Sequence, residues 1–158
     1  MHRRGYLSQL KKIKIQESKN NMSEARIFRH FVRVPYAHTD QMRFVYYANY
    51  FIYFEMARPE MLREVGLPYA ELEKQGLFLP VVEAHCEYKS PAHFDDQLEI
   101  ISRCQIQGVR LRVEYKVSRG KEMIVSGHTV HVCVSPELKI IRPPDLLQKL
   151  ITPPKPPS

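Results

Sequence analysis

Several motifs that would assign a function at once are missing from this 158-residue chain. It contains no G-x-S-x-G, P-loop or G-x-G-x-x-G pattern, so nothing indicates a serine-hydrolase elbow or a nucleotide-binding loop. No apolar run reaches the roughly 18 residues that a membrane helix requires. The first residues are polar and basic, without the apolar core of a signal peptide, so we expect no cleavable signal.

Cysteine is scarce, and no metal-binding pattern is evident. Cys86, Cys104 and Cys133 form no C-x-x-C pair and lie in alternating apolar segments. Such an odd set of thiols is typical of reduced, buried cysteines, which leads us to expect a cytoplasmic protein. His128 and His131 stand three apart on a predicted strand and therefore point to opposite faces. We accordingly expect no metal site.

The formal net charge of +7 is concentrated at one end of the chain. Residues 1–22 contain six basic residues and one acidic residue, which leaves little net charge for the remainder. A nucleic-acid-binding domain requires a basic stripe with a recognition motif, and neither is present. We expect a flexible basic extension over residues 1–22, one domain over 23–151 and a proline-rich tail over 152–158, with no nucleic-acid partner and no membrane span.

Hydrophobic periodicity predicts one long helix followed by strands. From Asn49 to Val65, apolar side chains cover most of the circumference, which is typical of a helix buried inside a fold. Residues 109–118 alternate between apolar and polar side chains, which is the period of a strand with one wet face. We predict further strands at residues 27–34, 80–89, 97–106 and 122–134, and short helices at residues 69–75 and 145–151, the latter capped by Asp145.

This order of elements predicts an α+β fold. A curved antiparallel β-sheet wrapped around one long central helix buries both apolar surfaces, and that architecture is the hot-dog fold. Because the sheet is open, it keeps an edge strand whose backbone groups are unpaired. We therefore expect dimerisation through sheet edges.

Asp40 is the first candidate for a catalytic residue. It lies in a turn-like segment too far ahead of the helix start near Ala48 to be the N-cap. There its carboxylate could activate water or attack a carbonyl carbon, while the free backbone N–H of Tyr47 holds the developing oxyanion. This arrangement suits hydrolysis of an activated carbonyl. The alternative is an ordinary turn aspartate.

Three further residues are candidates for substrate binding: Tyr46, Asn49 and Arg110. Tyr46 could line a pocket, although tyrosines at such positions often pack with only the hydroxyl in water. Asn49 stands at the start of the helix, and Arg110 on the wet face of a strand could meet phosphates or simply be solvated. His38 could tune Asp40 or be a surface histidine.

The motif around Asp40 resembles a known family. Asp40, Val45-Tyr46-Tyr47-Ala48-Asn49-Tyr50 and Phe54-Glu55-Met56-Ala57-Arg58 are similar to the YbgC/FadM-type acyl-CoA thioesterases, of the 4-hydroxybenzoyl-CoA thioesterase-like branch of hot-dog proteins. The resemblance covers about residues 28–145 and continues at Val82, Glu87-Tyr88, Pro91-Ala92, residues 95–100 and residues 132–134.

The resemblance implies a homodimer or dimer-of-dimers that hydrolyses acyl-CoA to an acid and CoA, with no cofactor beyond the coenzyme A of the substrate. It makes Asp40 the nucleophile or general base and Tyr47 the position whose N–H polarises the thioester carbonyl. Arg110 falls near a basic position that meets CoA phosphates. It also places the active site at the dimer interface, where residues 88–97 of a second subunit could close the pocket.

The chain departs from the family at Met42-Arg43-Phe44, where relatives often carry small residues. Bulky side chains there could reshape the acyl pocket or redirect the loop. They favour the alternative of a non-hydrolytic hot-dog module that binds acyl thioesters or aromatic ligands. A dehydratase would need an Asp and a His paired across the cleft, and no histidine is convincingly placed. The identity of the acyl group stays open.

Overall fold

The computed structural model describes residues 25–158, so the predicted basic extension over residues 1–22 lies outside the described residues. Two helices, α1 and α2, follow the first strand, and five more strands follow them. The bounds are β1 Phe28–Arg33, α1 Asn49–Glu64, α2 Tyr69–Lys74, β2 Val81–Tyr88, β3 Gln97–Gln107, β4 Arg110–Arg119, β5 Glu122–Val134 and β6 Ile140–Ile141, with short 3₁₀ helices at Tyr36–His38 and Asp145–Leu150.

The strands form one antiparallel sheet in the order β1-β3-β4-β5-β2, and the two residues of β6 pair with β5. Two-residue loops join β3 to β4 and β4 to β5, and each begins with a glycine at positive φ. These are the hairpin turns that the sequence predicts at Gly108 and Gly120. β1 and β2 are left as the two edges of the described sheet.

Helix α1 packs across the inner face of this sheet. Tyr53 and Phe54 are completely buried, and the Phe54 ring stacks on Tyr115 with 4.3 Å between centroids. Gly127 of β5 makes this close approach possible, because a Cβ there would lie 2.8 Å from the Phe54 ring. A sheet around one buried helix confirms the predicted hot-dog fold.

The ends of the helices differ in detail from the prediction. Helix α1 continues through Pro59 and stops at Glu64, just before Gly66 with its φ of +76°. The prediction that Asp145 caps the last helix is wrong. Pro144 occupies the N-cap position without a side-chain hydrogen bond, and the segment is a 3₁₀ helix.

A chain of buried polar groups crosses the interface between helix and sheet. The Arg58 guanidinium donates to the Tyr115 hydroxyl at 3.4 Å, and that hydroxyl lies 3.0 Å from Thr129 Oγ1. Thr129 Oγ1 is 2.9 Å from His131 Nε2, and His131 Nδ1 is 3.1 Å from the Leu79 carbonyl oxygen. The chain therefore ties α1 to the backbone that leads into the edge strand β2.

Candidate functional site

Asp40 lies in a tight loop closed by its own hydrogen bonds. Its N–H donates to the Phe44 carbonyl and its carbonyl accepts from the Arg43 N–H, both at 2.9 Å. One carboxylate oxygen, Oδ1, accepts from the Met42 N–H at 2.8 Å. Asp40 is exposed. The loop thus fixes the carboxylate by one oxygen and leaves Oδ2 without a hydrogen-bond partner among residues 25–158.

The loop is attached to the first turn of α1 through His38. The His38 carbonyl oxygen accepts two hydrogen bonds, from the Tyr46 N–H and from the Asn49 side-chain amide, both at 2.9 Å. Its ring Nδ1 lies 3.0 Å from the hydroxyl of the fully buried Tyr53. The position two residues before Asp40 is therefore held by both backbone and side chain.

The backbone N–H of Tyr47 stands free at the start of α1. No hydrogen bond within residues 25–158 begins at this group, which lies one residue before the Ala48 N-cap. The Tyr47 carbonyl accepts from the Tyr88 hydroxyl at 3.1 Å, which anchors the peptide to the end of β2. The free donor and its neighbouring helix dipole form a favourable place for negative charge.

Asp40 and Tyr47 border the same surface cleft, which has a volume of about 360 Å³. Its walls are largely aromatic and apolar, with Lys89 and Ser90 among the polar lining. The lining residues are Asp40, Phe44, Val45, Tyr47, Tyr50, Tyr88, Lys89, Ser90 and Pro91. Burial raises the pKa of Tyr50 to about 12, so this phenol stays neutral against the helix. The cleft combines a carboxylate, a free N–H donor and an apolar wall.

The other predicted site residues lie outside this cleft. Tyr46 is 43% exposed, and its ring packs on Tyr47 with 4.6 Å between centroids. The side-chain amide of Asn49 donates to the His38 carbonyl oxygen, and Asn49 does not line the cleft. Arg110 is the first residue of β4 and pairs with Val132, whereas the cleft lies near the opposite end of that strand.

Of the bulky segment Met42-Arg43-Phe44, only Phe44 lines the cleft. Met42 is 68% exposed and is not part of the lining. Arg43 adopts a φ of +64°, the left-handed conformation that a glycine takes without strain. The loop therefore follows a path suited to glycine even though an arginine occupies it.

Residues 88–91 of the same chain were not predicted to line the cleft. They come from the far end of β2, about forty residues after the Asp40 loop, and no local pattern marks them. Two contacts bring the segments together. Phe44 and His93 form an isolated antiparallel β-bridge, and the Val45 N–H donates to the Ala92 carbonyl oxygen at 2.8 Å. This part of the cleft wall therefore forms only when the two distant segments pair in the folded chain.

In the described part of the chain, no three His, Cys, Asp or Glu side chains converge to form a possible metal site. His131 is buried on the inner face, while His128 bonds to Glu83 on the outer face, as their spacing predicts. None of the helices over residues 25–158 is long and apolar enough to cross a membrane.

Comparison with known proteins gives a consistent picture. Residues 34–151 match the family model described as the thioesterase-like superfamily. The acyl-CoA thioester hydrolase YbgC of Escherichia coli is 32% identical over 112 residues, which cover 70% of this chain and 84% of that protein.

Solved structures agree with the same assignment. A hypothetical protein from Aquifex aeolicus superposes with a TM-score of 0.74 at 33% identity, covering 78% of this chain and 98% of that one. A gentisyl-coenzyme A thioesterase gives a TM-score of 0.71 at 27% identity, covering 77% of this chain and 99% of the other.

Proposed function

The chain belongs to the thioesterase-like superfamily, and from this premise we propose that it hydrolyses an acyl-CoA thioester to a free acid and CoA. One observation carries the proposal: Asp40 and Tyr47, whose backbone N–H has no hydrogen-bond acceptor among residues 25–158, border one cleft of about 360 Å³. The names of its relatives, which include an acyl-CoA thioester hydrolase and a gentisyl-coenzyme A thioesterase, point to the same reaction.

In this reaction the thioester carbonyl oxygen lies toward the N-terminus of α1. The Tyr47 N–H donates to the oxyanion that forms when the carbonyl carbon is attacked, and one such donor contributes about 3 kcal/mol in well-studied hydrolases. Asp40 either removes a proton from the attacking water, or attacks the carbon itself and displaces the CoA thiolate to form an anhydride, which water then hydrolyses to the free acid. Both routes require an ionised carboxylate, and the free Oδ2 is available for either.

The acyl group lies against the apolar wall of the cleft. Phe44, Val45, Tyr50 and Pro91 supply this surface. The hydroxyl of Tyr88 is already bound to the Tyr47 carbonyl, so Tyr88 holds the peptide that follows the oxyanion donor.

Replacing Asp40 by asparagine tests the assignment. Asparagine keeps the oxygen that accepts from the Met42 N–H, so the loop should persist while the negative charge is lost. We expect kcat to fall by roughly three orders of magnitude or more with little change in thermal stability. Release of free thiol is measured over acetyl-, hexanoyl-, palmitoyl- and benzoyl-CoA.

Asp145→Asn is the matched control, because Asp145 is an exposed aspartate that neither lines the cleft nor falls within residues 88–97. It should keep normal turnover. Near-normal hydrolysis by the Asp40 variant would refute the catalytic role of Asp40. Binding of acyl-CoA without any thiol release by the wild type would favour the alternative, a non-hydrolytic module.

The protein is proposed to act as a homodimer joined at strand β2. This edge strand is exposed over seven of its eight residues, including Val81 and Val82 at 47% and 51%. The other edge, β1, is shorter and carries the charged Arg29 and Arg33 along its outer face, which disfavours pairing. A second copy added antiparallel to β2 pairs the unpaired backbone groups of both chains.

Charge selects the register of this contact. A two-fold axis at Ala84 sets Glu83 opposite the partner subunit's His85, whereas an axis at His85 sets Glu83 opposite the partner subunit's Glu87. An imidazole can hydrogen-bond to a carboxylate, whereas two carboxylates directly opposite each other destabilise a cross-strand pair. We therefore place the axis at Ala84, which brings the segment before the partner's β2 beside Tyr88 at the cleft.

Cysteine cross-linking tests the register. Residues on the axis of an antiparallel pair lie about 4.5–5.5 Å apart between Cα atoms, within the range of a disulfide. In a Cys86→Ser background, Ala84→Cys should form a disulfide-linked dimer under mild oxidation, and His85→Cys should not. The reverse pattern would move the axis, and a monomer in both cases at micromolar concentration would reject the edge contact.

The predicted role of Arg110 in binding substrate depends on this dimer. Within one chain Arg110 lies far from the cleft, so a role in binding CoA phosphates requires a site shared between two protomers. Assembly into a dimer-of-dimers and a cytoplasmic location stay predictions from the sequence.

A further inference from the structure

Asn49 and Tyr53 lie one helical turn apart on α1, and both hold the same residue of the catalytic loop. Asn49 donates its side-chain amide to the His38 carbonyl oxygen at 2.9 Å. The Tyr53 hydroxyl meets the His38 ring at 3.0 Å, and the two rings pack with 5.5 Å between centroids. Residues four apart on a helix share a face, so the pair forms a clamp around His38.

The clamp lies at the point where the Asp40 loop meets the helix. His38 is two residues before Asp40, and its carbonyl also accepts the Tyr46 N–H, immediately before the free donor of Tyr47. The loop itself is closed by bonds from Asp40 to Met42, Arg43 and Phe44, so it moves as one unit. Fixing His38 therefore fixes the carboxylate relative to the oxyanion donor.

We propose that Asn49 and Tyr53 are positioning residues, which set the geometry between Asp40 and the Tyr47 N–H by clamping His38. Neither side chain lines the cleft, so neither contacts substrate directly. This assigns Asn49 a role different from the substrate binding that the sequence predicts. The inference rests on the proposed thioesterase function.

The geometry predicts a change in kcat rather than in KM. A catalytic group displaced by about 1 Å can cost 100-fold in rate, whereas binding contacts in the cleft remain. We expect kcat of Asn49→Ala to fall about 10- to 100-fold. KM should stay within about twofold for the best-hydrolysed member of the acyl-CoA panel. The reason is that the contacts that bind the substrate equally in the ground state and the transition state are unchanged.

Asn49→Asp is the sharper variant, since it is nearly isosteric but an ionised carboxylate cannot donate to the carbonyl. It should lose kcat as Asn49→Ala does. Ile52→Ala, on an exposed part of the same helix, serves as the control and should keep wild-type kcat. Thermal unfolding of each variant shows that the measured protein is folded.

A mutant cycle separates the two arms of the clamp. Tyr53 acts through the His38 ring, whereas Asn49 acts through the His38 backbone. In a His38→Ala background, Tyr53→Phe should have no further effect on kcat, while Asn49→Ala should still lower it.

The outcomes distinguish this inference from the proposed function. If Asp40→Asn keeps activity, the thioesterase mechanism itself fails. If Asp40→Asn is inactive but folded Asn49→Asp has wild-type kcat, the clamp is rejected. A rise in KM at constant kcat would instead make Asn49 a substrate-binding residue and would also reject the clamp.

Discussion

Replacing His131 by glutamine should remove much of the loss of stability that acid causes in this protein. His131 is 1% exposed, and burial, assisted by the nearby Arg58 charge, lowers the pKa of its imidazole to about 4, although the Leu79 carbonyl opposes this shift. A neutral ring also fits the buried chain of hydrogen bonds. Its Nδ1–H donates to Leu79, so Nε2 must accept from the Thr129 hydroxyl, which in turn accepts from Tyr115.

The direction of the effect follows from proton binding. In the unfolded chain the His131 imidazole has its ordinary pKa of 6.5 and takes up a proton below that pH, whereas the folded protein does not until the pH nears 4. Because the unfolded state binds more protons in this range, stability falls as the pH falls from 6.5 to 4. The contribution is present in full above pH 6.5, and roughly 2–3 kcal/mol of it is lost between pH 7.5 and 4.5.

Urea unfolding followed by circular dichroism at pH 7.5 and 4.5 measures this difference. The wild type should lose roughly 2–3 kcal/mol more than His131→Gln over that interval. Val132→Ala is the control, since it destabilises the same strand without a titrating group and should keep the wild-type pH dependence. Equal acid losses in the wild type and in His131→Gln would refute the reasoning.

Three substitutions that introduce or remove glycine test the backbone. Arg43→Gly should raise the free energy of unfolding by up to about 1 kcal/mol. Glycine relieves the left-handed backbone strain, but its larger loss of conformational entropy on folding cancels part of that gain. Destabilisation in thermal unfolding would contradict this prediction. Gly127→Ala should cost about 3 kcal/mol, because its Cβ would collide with the His85 carbonyl and the Phe54 ring. Gly108→Ala, with open space around it, should cost only about 1 kcal/mol from its φ of +59°; equal losses at Gly127 and Gly108 would reject the packing argument.

Elements with strong periodicity could be predicted from the sequence almost to the residue. Helix α1 was expected over Asn49–Val65 and spans Asn49–Glu64, and the strand expected at residues 122–134 has those bounds. Helix circumference and strand alternation are local properties, so burial by distant elements does not change them. The cap at Asp145 failed because Pro144 already supplies the fixed φ that starts the 3₁₀ turn.

The site could be predicted only in its local part. Asp40 and Tyr47 are seven residues apart, and their shared cleft follows from a loop that leads directly into a helix. The role of Asn49 depends on which acceptor its amide reaches, and the wall at residues 88–91 depends on pairing across the fold. The buried chain from Arg58 to His131 likewise joins α1 to β5, which no spacing in the sequence indicates.

The bulky segment Met42-Arg43-Phe44 is the main sequence feature against hydrolysis, and the loop accommodates these side chains. Its closing hydrogen bonds use backbone atoms and the Asp40 carboxylate, so they do not depend on the side chains at positions 42 and 43. The remaining requirement is a left-handed residue at position 43, which costs an arginine about 1–2 kcal/mol. The anchors at His38 and Ala92 offset that strain. The departure therefore reaches the cleft through Phe44 alone, and under the proposed mechanism we expect it to change which acyl group fits rather than whether Asp40 can reach it.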